Sequence, residues 1–343
     1  MSEDLREFAA LTELDEVRRL ASDLQAKLRQ SKARNAELVQ AAHDGAHEAV
    51  LLQGPAPPVP DSRKDKRTGG DEAALLHLSD WQLGKVTESY NTEVAVGRVR
   101  LLGDKLEKLV GIERADHPVR EIHNLLGGDM PEGTSIFPAQ SFEIDSGLFR
   151  QVFACVGALE ELVRRQLSLF ETVHCWEVTG NHGRIGRKGD SPREDNADLF
   201  IYRETRERLR DYEQDGRLVW HPWERWYTIV EIGAYRALLV HGDQVKSFGG
   251  GTPAFGIARK VNSWAAGVVE PFTDAYMGHF HQPLVLPLAN GRGRTFVNPS
   301  LESDSQYAKE FVAASGVPGQ RLNFVDPERG RVTSERIVWL DGQ

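Results

Sequence analysis

Five short apolar runs in this 343-residue chain each stop at a turn carrying an aspartate, a histidine or a side-chain amide, and that repetition constrains the fold most. Ala73–Leu78 is followed by Ser79-Asp80-Trp81-Gln82, and Val119–Leu126 by Gly127-Gly128-Asp129. Val173–Val178 leads to Thr179-Gly180-Asn181-His182, Tyr235–Val240 to His241-Gly242, and Asp274–Met277 to Gly278-His279-Phe280-His281. Runs of this length and composition read as buried strands. Between the early ones lie helical patterns. Val94, Val99, Leu102, Leu106 and Leu109 predict a helix over about Asn91 to Ile112, and Leu148 through Leu167 predict one from Asp145 to Phe170. A third is expected from Asn196 to Tyr212, and beyond it the sequence turns strand-rich, with one further helix around Phe255 to Ala266. Strand–helix alternation followed by many short strands implies an α/β fold, a layered β-sandwich flanked by helices.

Loops converge outside the carboxyl ends of strands while the sheet stays rigid, so those turns are where a site is expected. Side chains two apart in an extended tip point to one side, so Asp80 with Gln82, and His279 with His281, each form a pincer. Oxygen and nitrogen donors without thiolate suit Mn, Fe, Zn or Mg. Two such ions need a shared carboxylate, and Asp129 is the natural candidate; the pair would hold a phosphate and activate a water. Taken singly, Asp80 or Asp129 reads as a turn or cap residue and His241 as a structural histidine. Five in order read as one site. His77, His123, His174 and His221 read as ordinary strand or loop histidines.

The rest of the chain sets bounds. Residues 1–52 are expected to form a helical arm, 53–70 a proline-, glycine- and base-containing linker, and 71–343 the catalytic-type domain. A seven-residue register runs through the arm, with Leu14, Ala21, Leu28 and Asn35 at one seam position and Val17, Leu24, Ser31 and Leu38 at the other. The favoured reading is an oligomerising coiled coil, against a helix folded back on the domain or a frayed arm. Arg63, Lys64, Lys66 and Arg67 read as a solvated run. A net charge of −9 argues against a generally basic nucleic-acid coat and leaves a locally positive groove open. Two cysteines, Cys155 and Cys175, exclude a disulfide scaffold. The acidic start lacks a signal-type apolar region, and no run of about 18 apolar residues occurs. The expectation is a cytoplasmic protein without membrane association.

Set side by side, Ser79-Asp80-Trp81-Gln82, Gly128-Asp129, Gly180-Asn181-His182, His241-Gly242 and Gly278-His279-Phe280-His281 resemble the motif series of the calcineurin-like metallophosphoesterase family. The resemblance covers roughly residues 73–300. The opening Leu78-Ser79-Asp80-Trp81-Gln82-Leu83-Gly84-Lys85 is similar to its DNA-repair exonuclease (SbcD-like) branch. It implies one divalent ion on Asp80, Gln82, Asp129 and His281 and a second on Asp129, Asn181, His241 and His279, with manganese favoured over Mg, Fe or Zn. His182 would be the unligated imidazole that protonates the leaving oxygen or steadies the charged transition state. Glu132 stands where the family often has a second acid and is expected behind a ligand. Gln82 departs from the family's histidine, which puts the occupancy of the first site in question.

The favoured function is therefore hydrolysis of phosphodiesters, with DNA as substrate, an exo- or endonuclease activity and pairing of protomers through the arm; an ATPase partner is left open. Arg184, Arg187 and Lys188, in the loop after His182, are expected to contact phosphates, weighed equally against a solvated turn. A small-molecule or nucleotide phosphoesterase is the second reading. A binding or scaffold protein whose metal site has decayed at Gln82 is the third.

Overall fold

The computed structural model describes residues 57–341 except 63, 135, 138, 139, 187, 188, 190, 191, 247–252 and 304–315, together with scattered positions between 19 and 45. The scattered positions are helical and exposed. Of the seven-residue seam only Leu24 is among them; the others, like Arg187 and Lys188 of the loop after His182, lie outside the described residues.

Two mixed sheets form. In the first, β1 (Glu72–Leu78), β2 (Val119–Leu126), β3 (Thr172–Glu177) and β4 (Leu218–His221) run parallel, side by side. Beyond β1 the sheet is extended by antiparallel β10 (Gly319–Asp326) and β11 (Arg331–Trp339). The second contains β5 (Thr228–Ile232), β6 (Tyr235–Leu239) and β7 (Asp274–Met277), then β9 (Arg294–Val297) and β8 (Val285–Pro287) at its far edge. Helices α1 (Thr92–Glu113), α2 (Leu148–Leu169), α3 (Ala197–Arg208) and the short α4 (Arg210–Gln214) lie on the side of the first sheet, and α5 (Ala254–Ser263) on the second.

Strand alternation accounts for the layering. Ala74, Leu76 and Leu78 pack among the helices, whereas Ala73 and Leu75 turn to the other sheet and meet Tyr235, Tyr276 and Phe296. A third apolar layer joins the second sheet to Ile257 and Val261 of α5. On α2 the buried face is Val152, Val156, Leu159, Val163 and Leu167, at helical spacing. Burying each such side chain contributes roughly 1.5–3 kcal/mol. The result is the expected sandwich of sheets between helices.

Local chemistry fixes the helix starts. The Asn91 side chain accepts from the Val94 N–H at 2.9 Å, and Asn196 from the Asp198 N–H at 2.8 Å. The second helix begins at Leu148 rather than at Asp145, because the Asp145 carboxylate is taken by the N–H and hydroxyl of Thr92. The described residues of 57–70 run over the domain: the Val59 N–H donates to the Tyr212 hydroxyl, and Arg67 to the carbonyls of Arg114 and His117. Among the described residues no helix is long and apolar enough to cross a membrane.

Candidate metal centre

The carboxyl ends of β1, β2, β3, β6 and β7 meet along one edge of the sandwich, where the loops interlock. The His279 N–H donates to both oxygens of Asp80, at 2.9 and 3.1 Å, which joins the two sheets. A Cβ on Gly278 would run into that carboxylate, and one on Gly180 into the carboxylate of Asp129. Only glycine lets the backbones come this close.

Backbone conformation singles out the same residues. Among the described residues, the non-glycine positions with left-handed backbone are Asp80 (φ 55°), Gln82 (46°), Asp129 (56°), His279 (67°) and His281 (55°). Each costs on the order of 1–2 kcal/mol relative to ordinary backbone. Strain of this kind persists where the surroundings impose it, and it gathers at functional sites. All five are candidate ligands. The strain turns their side chains toward one another.

Two half-sets result. In one, Asp129 Oδ2 lies 3.0 Å and Asn181 Oδ1 3.2 Å from His241 Nε2, and the ligand atoms of Asp129, His241 and His279 all lie within 4.8 Å. In the other, His281 Nε2 is 3.3 Å from Asp80 Oδ1 and 3.3 Å from the Gln82 amide nitrogen. His182 sits between them. Its N–H donates to Asp129 Oδ1 at 2.6 Å, its Nδ1–H to the Glu132 carbonyl at 2.8 Å, and its Nε2 is 3.5 Å from Gln82.

Partners on the far side set the imidazole tautomers. His241 Nδ1–H donates to the Gly127 carbonyl and His281 Nδ1–H to Glu302, both at 2.8 Å, so in the neutral rings Nε2 offers a lone pair inward. Asp129 Oδ2 is near His241 but not aligned for a hydrogen bond, and the buried Oε1 of Gln82 has no partner either. Acceptors facing one another in a buried space suit a cation, so the donor set fits divalent metal. A half-turn of the Gln82 amide would aim its oxygen at His281 and His182.

Electrostatics agree. Burial lowers the affinity of His241 for a proton, but the Asp129 charge overrides it and raises the pKa to about 10. His281, likewise buried, is lifted to about 10 by Asp80 and Glu302, and His182 to about 9 by Asp129 and Glu132. Burial, reinforced by the charge on His241, lowers His279 to about 4. Burial pushes the Asp129 carboxyl upward, but the imidazolium charges of His241 and His182 hold it below the usual carboxylate range. A field that draws protons this strongly is one that divalent cations would neutralise.

Several supporting residues escaped the sequence reading. Glu302, with Lys85 2.5 Å away, orients His281. Asp198 accepts from the N–H groups of Asp129, Met130 and Gly180 at 3.1, 2.9 and 2.8 Å, stitching the β2 loop to the β3 loop. Glu132 stands behind His182, the imidazole expected to be unligated, rather than behind a metal ligand, its Oε2 3.2 Å from Nδ1. Arg184 is tied to Asp243 at 2.6 Å.

No family model and no curated protein matches the chain. Among solved structures it is similar to a novel archaeal phosphodiesterase, at 11% identity over 77% of this chain and 99% of that one, with a TM-score of 0.34. It is also similar to Vacuolar Protein Sorting 29 from Cryptosporidium parvum, at 13% identity over 78% and 99%, with a TM-score of 0.35. A predicted phosphoesterase from Streptococcus pneumoniae matches at 12% identity over 78% and 98%, with a TM-score of 0.30. Scores this low decide nothing about the site.

Proposed function

We propose that the chain is a metal-dependent phosphoesterase that hydrolyses phosphodiesters, with DNA as its substrate. The observation that carries this reading is the meeting of Asp80, Gln82, Asp129, Asn181, His241, His279 and His281 in one cluster, five of them in left-handed backbone. Asp80, Gln82 and His281 would hold one divalent ion, Asn181, His241 and His279 a second, and Asp129 would be shared. Bound there, the ions would neutralise phosphate charge and lower the pKa of a water.

The chain's own residues do the rest. His182 has its Nδ1 engaged by Glu132, so the ring is fixed with Nε2 toward the cluster, placed to protonate a leaving oxygen. Gly278 and Gly180 keep the loop backbones close enough for the half-sets to share Asp129. Lys85 and Glu302 hold the ring of His281.

A second reading, hydrolysis of a small phosphodiester or nucleotide, is favoured by the pairing of Arg184 with Asp243 and by the net charge of −9. A manganese-dependent assay on single- and double-stranded DNA, with a short chromogenic diester in parallel, separates the two. Activity on the diester alone selects the second reading. His182→Ala is expected to lower turnover by about 10²–10⁴-fold while metal content persists. Gln82→His is expected to keep or raise activity. Equal turnover by wild type and His182→Ala would remove the catalytic assignment.

A further inference from the structure

A second group of metal-type side chains lies on the inter-sheet face of the first sheet, away from the strand-end cluster. Glu121 and His123 project from β2, His174 from β3 and His221 from β4, and strand register brings them together: His123 pairs with His174, and Trp176 with His221. From His123 to Gly127, where the strand-end loop begins, is about 13 Å of extended chain.

Their hydrogen bonds do not close. The Trp176 indole N–H donates to His123 Nδ1 at 3.1 Å, which leaves the His123 proton on Nε2, 3.2 Å from Glu121 Oε1. His174 Nδ1 and His221 Nε2, 3.3 Å apart, share one proton. His174 Nε2 is left 3.9 Å from Glu121 Oε2, beyond hydrogen-bond reach. If His174 Nδ1–H is the donor to His221, a lone pair faces a carboxylate.

We propose that Glu121, His123 and His174 form a separate binding site for a divalent transition ion, zinc by its donor set. One ligand atom from each lies within 4.8 Å of the others. Ligands of a tetrahedral zinc at about 2.1 Å stand about 3.4 Å apart, whereas the His123 and His174 rings lie stacked, 7° from parallel with centroids 4.3 Å apart, so the His123 ring must swing out of the stack for both to aim a nitrogen at one ion. The Glu121 side chain is 37% exposed and that of His174 18%, which gives the ion a way in and a water a place as fourth ligand. His174 Nδ1–H would remain on His221, the outer contact that a ligating imidazole needs. His123 must move its proton to Nδ1 to bind through Nε2, so the indole N–H of Trp176 gives up its acceptor. The ion would clamp β2 to β3, the strands that carry Asp129 and Asn181 at their tips.

The test uses the full chain, stripped of metal, with Asp129→Ala and His279→Ala to disable the strand-end cluster. Zinc chloride is titrated by equilibrium dialysis while melting temperature and tryptophan emission are followed. The expected result is one saturable zinc per chain that raises Tm and shifts the emission in step. Adding Glu121→Gln, a near-isosteric change at a partly exposed side chain, should weaken binding by about tenfold or more. Adding His174→Asn should abolish it. If His174→Asn fails to fold, Glu121→Gln decides. No saturable zinc, or a zinc that Glu121→Gln leaves unchanged, overturns the proposal without touching the strand-end site.

Discussion

Replacing Asp198 should loosen the metal centre without removing any ligand. Its carboxylate is fully buried at the start of α3 and accepts three backbone N–H groups, those of Asp129, Met130 and Gly180. Two lie in the loop after β2 and one in the loop after β3. In Asp198→Ala all three donors lose their acceptor in a water-poor space, and each such loss costs about 1–3 kcal/mol. The loss should be on the order of 3–9 kcal/mol, a large share of the roughly 5–15 kcal/mol that holds a domain folded. Asp198→Asn keeps one side-chain oxygen but turns an NH₂ group toward a donor, so about 1–3 kcal/mol is expected. Urea unfolding of metal-stripped protein reads the stability, and manganese titration by isothermal calorimetry reads the site. Asn181 and Asp129 should drift apart in both variants, so metal affinity should fall together with stability. An Asp198→Ala protein within about 0.5 kcal/mol of wild type would refute the role assigned to these three bonds.

Glu302→Gln removes the charge that holds His281 Nδ1–H and leaves Lys85 without its carboxylate partner. Calorimetry should show one of two metal-binding steps weakened by about 10–100-fold, with the other unchanged. His77 is fully buried with neither ring nitrogen hydrogen-bonded, and burial holds its pKa at about 3. Between pH 6.5 and 3 the unfolded chain therefore binds a proton that the folded chain refuses, so this residue makes stability fall as pH falls, by about 1.4 kcal/mol per unit at most. His77→Leu should flatten that part of the profile in chelator-treated protein and cost less than about 1 kcal/mol at pH 7. An unchanged acid slope would contradict it.

The strands and the ligand candidates were legible because each signal is local. A period-2 apolar run shows where a strand ends, and the chemistry of the next residues shows what it delivers. Asn91 and Asn196 announced their helices in the same way. What stayed hidden depends on register and distance. Glu302 lies 21 residues beyond His281 in the chain, and only the fold places it against that ring. Asp198 stands in a helical first turn, where an acid is ordinary, and nothing in its neighbourhood says that two distant loops point N–H groups at it. His123, His174 and His221 read as unremarkable singly, since their meeting requires β2, β3 and β4 to pair in one particular register. The left-handed backbone at Gln82 was equally invisible.

The central claim is that two cations share Asp129. Anomalous diffraction from crystals grown with manganese tests it most directly. Two peaks about 3.5–4 Å apart are expected, with Asp129 between them, Asp80, Gln82 and His281 around one, and Asn181, His241 and His279 around the other. Density at neither position, or at a place that Asp129 does not touch, would contradict the account.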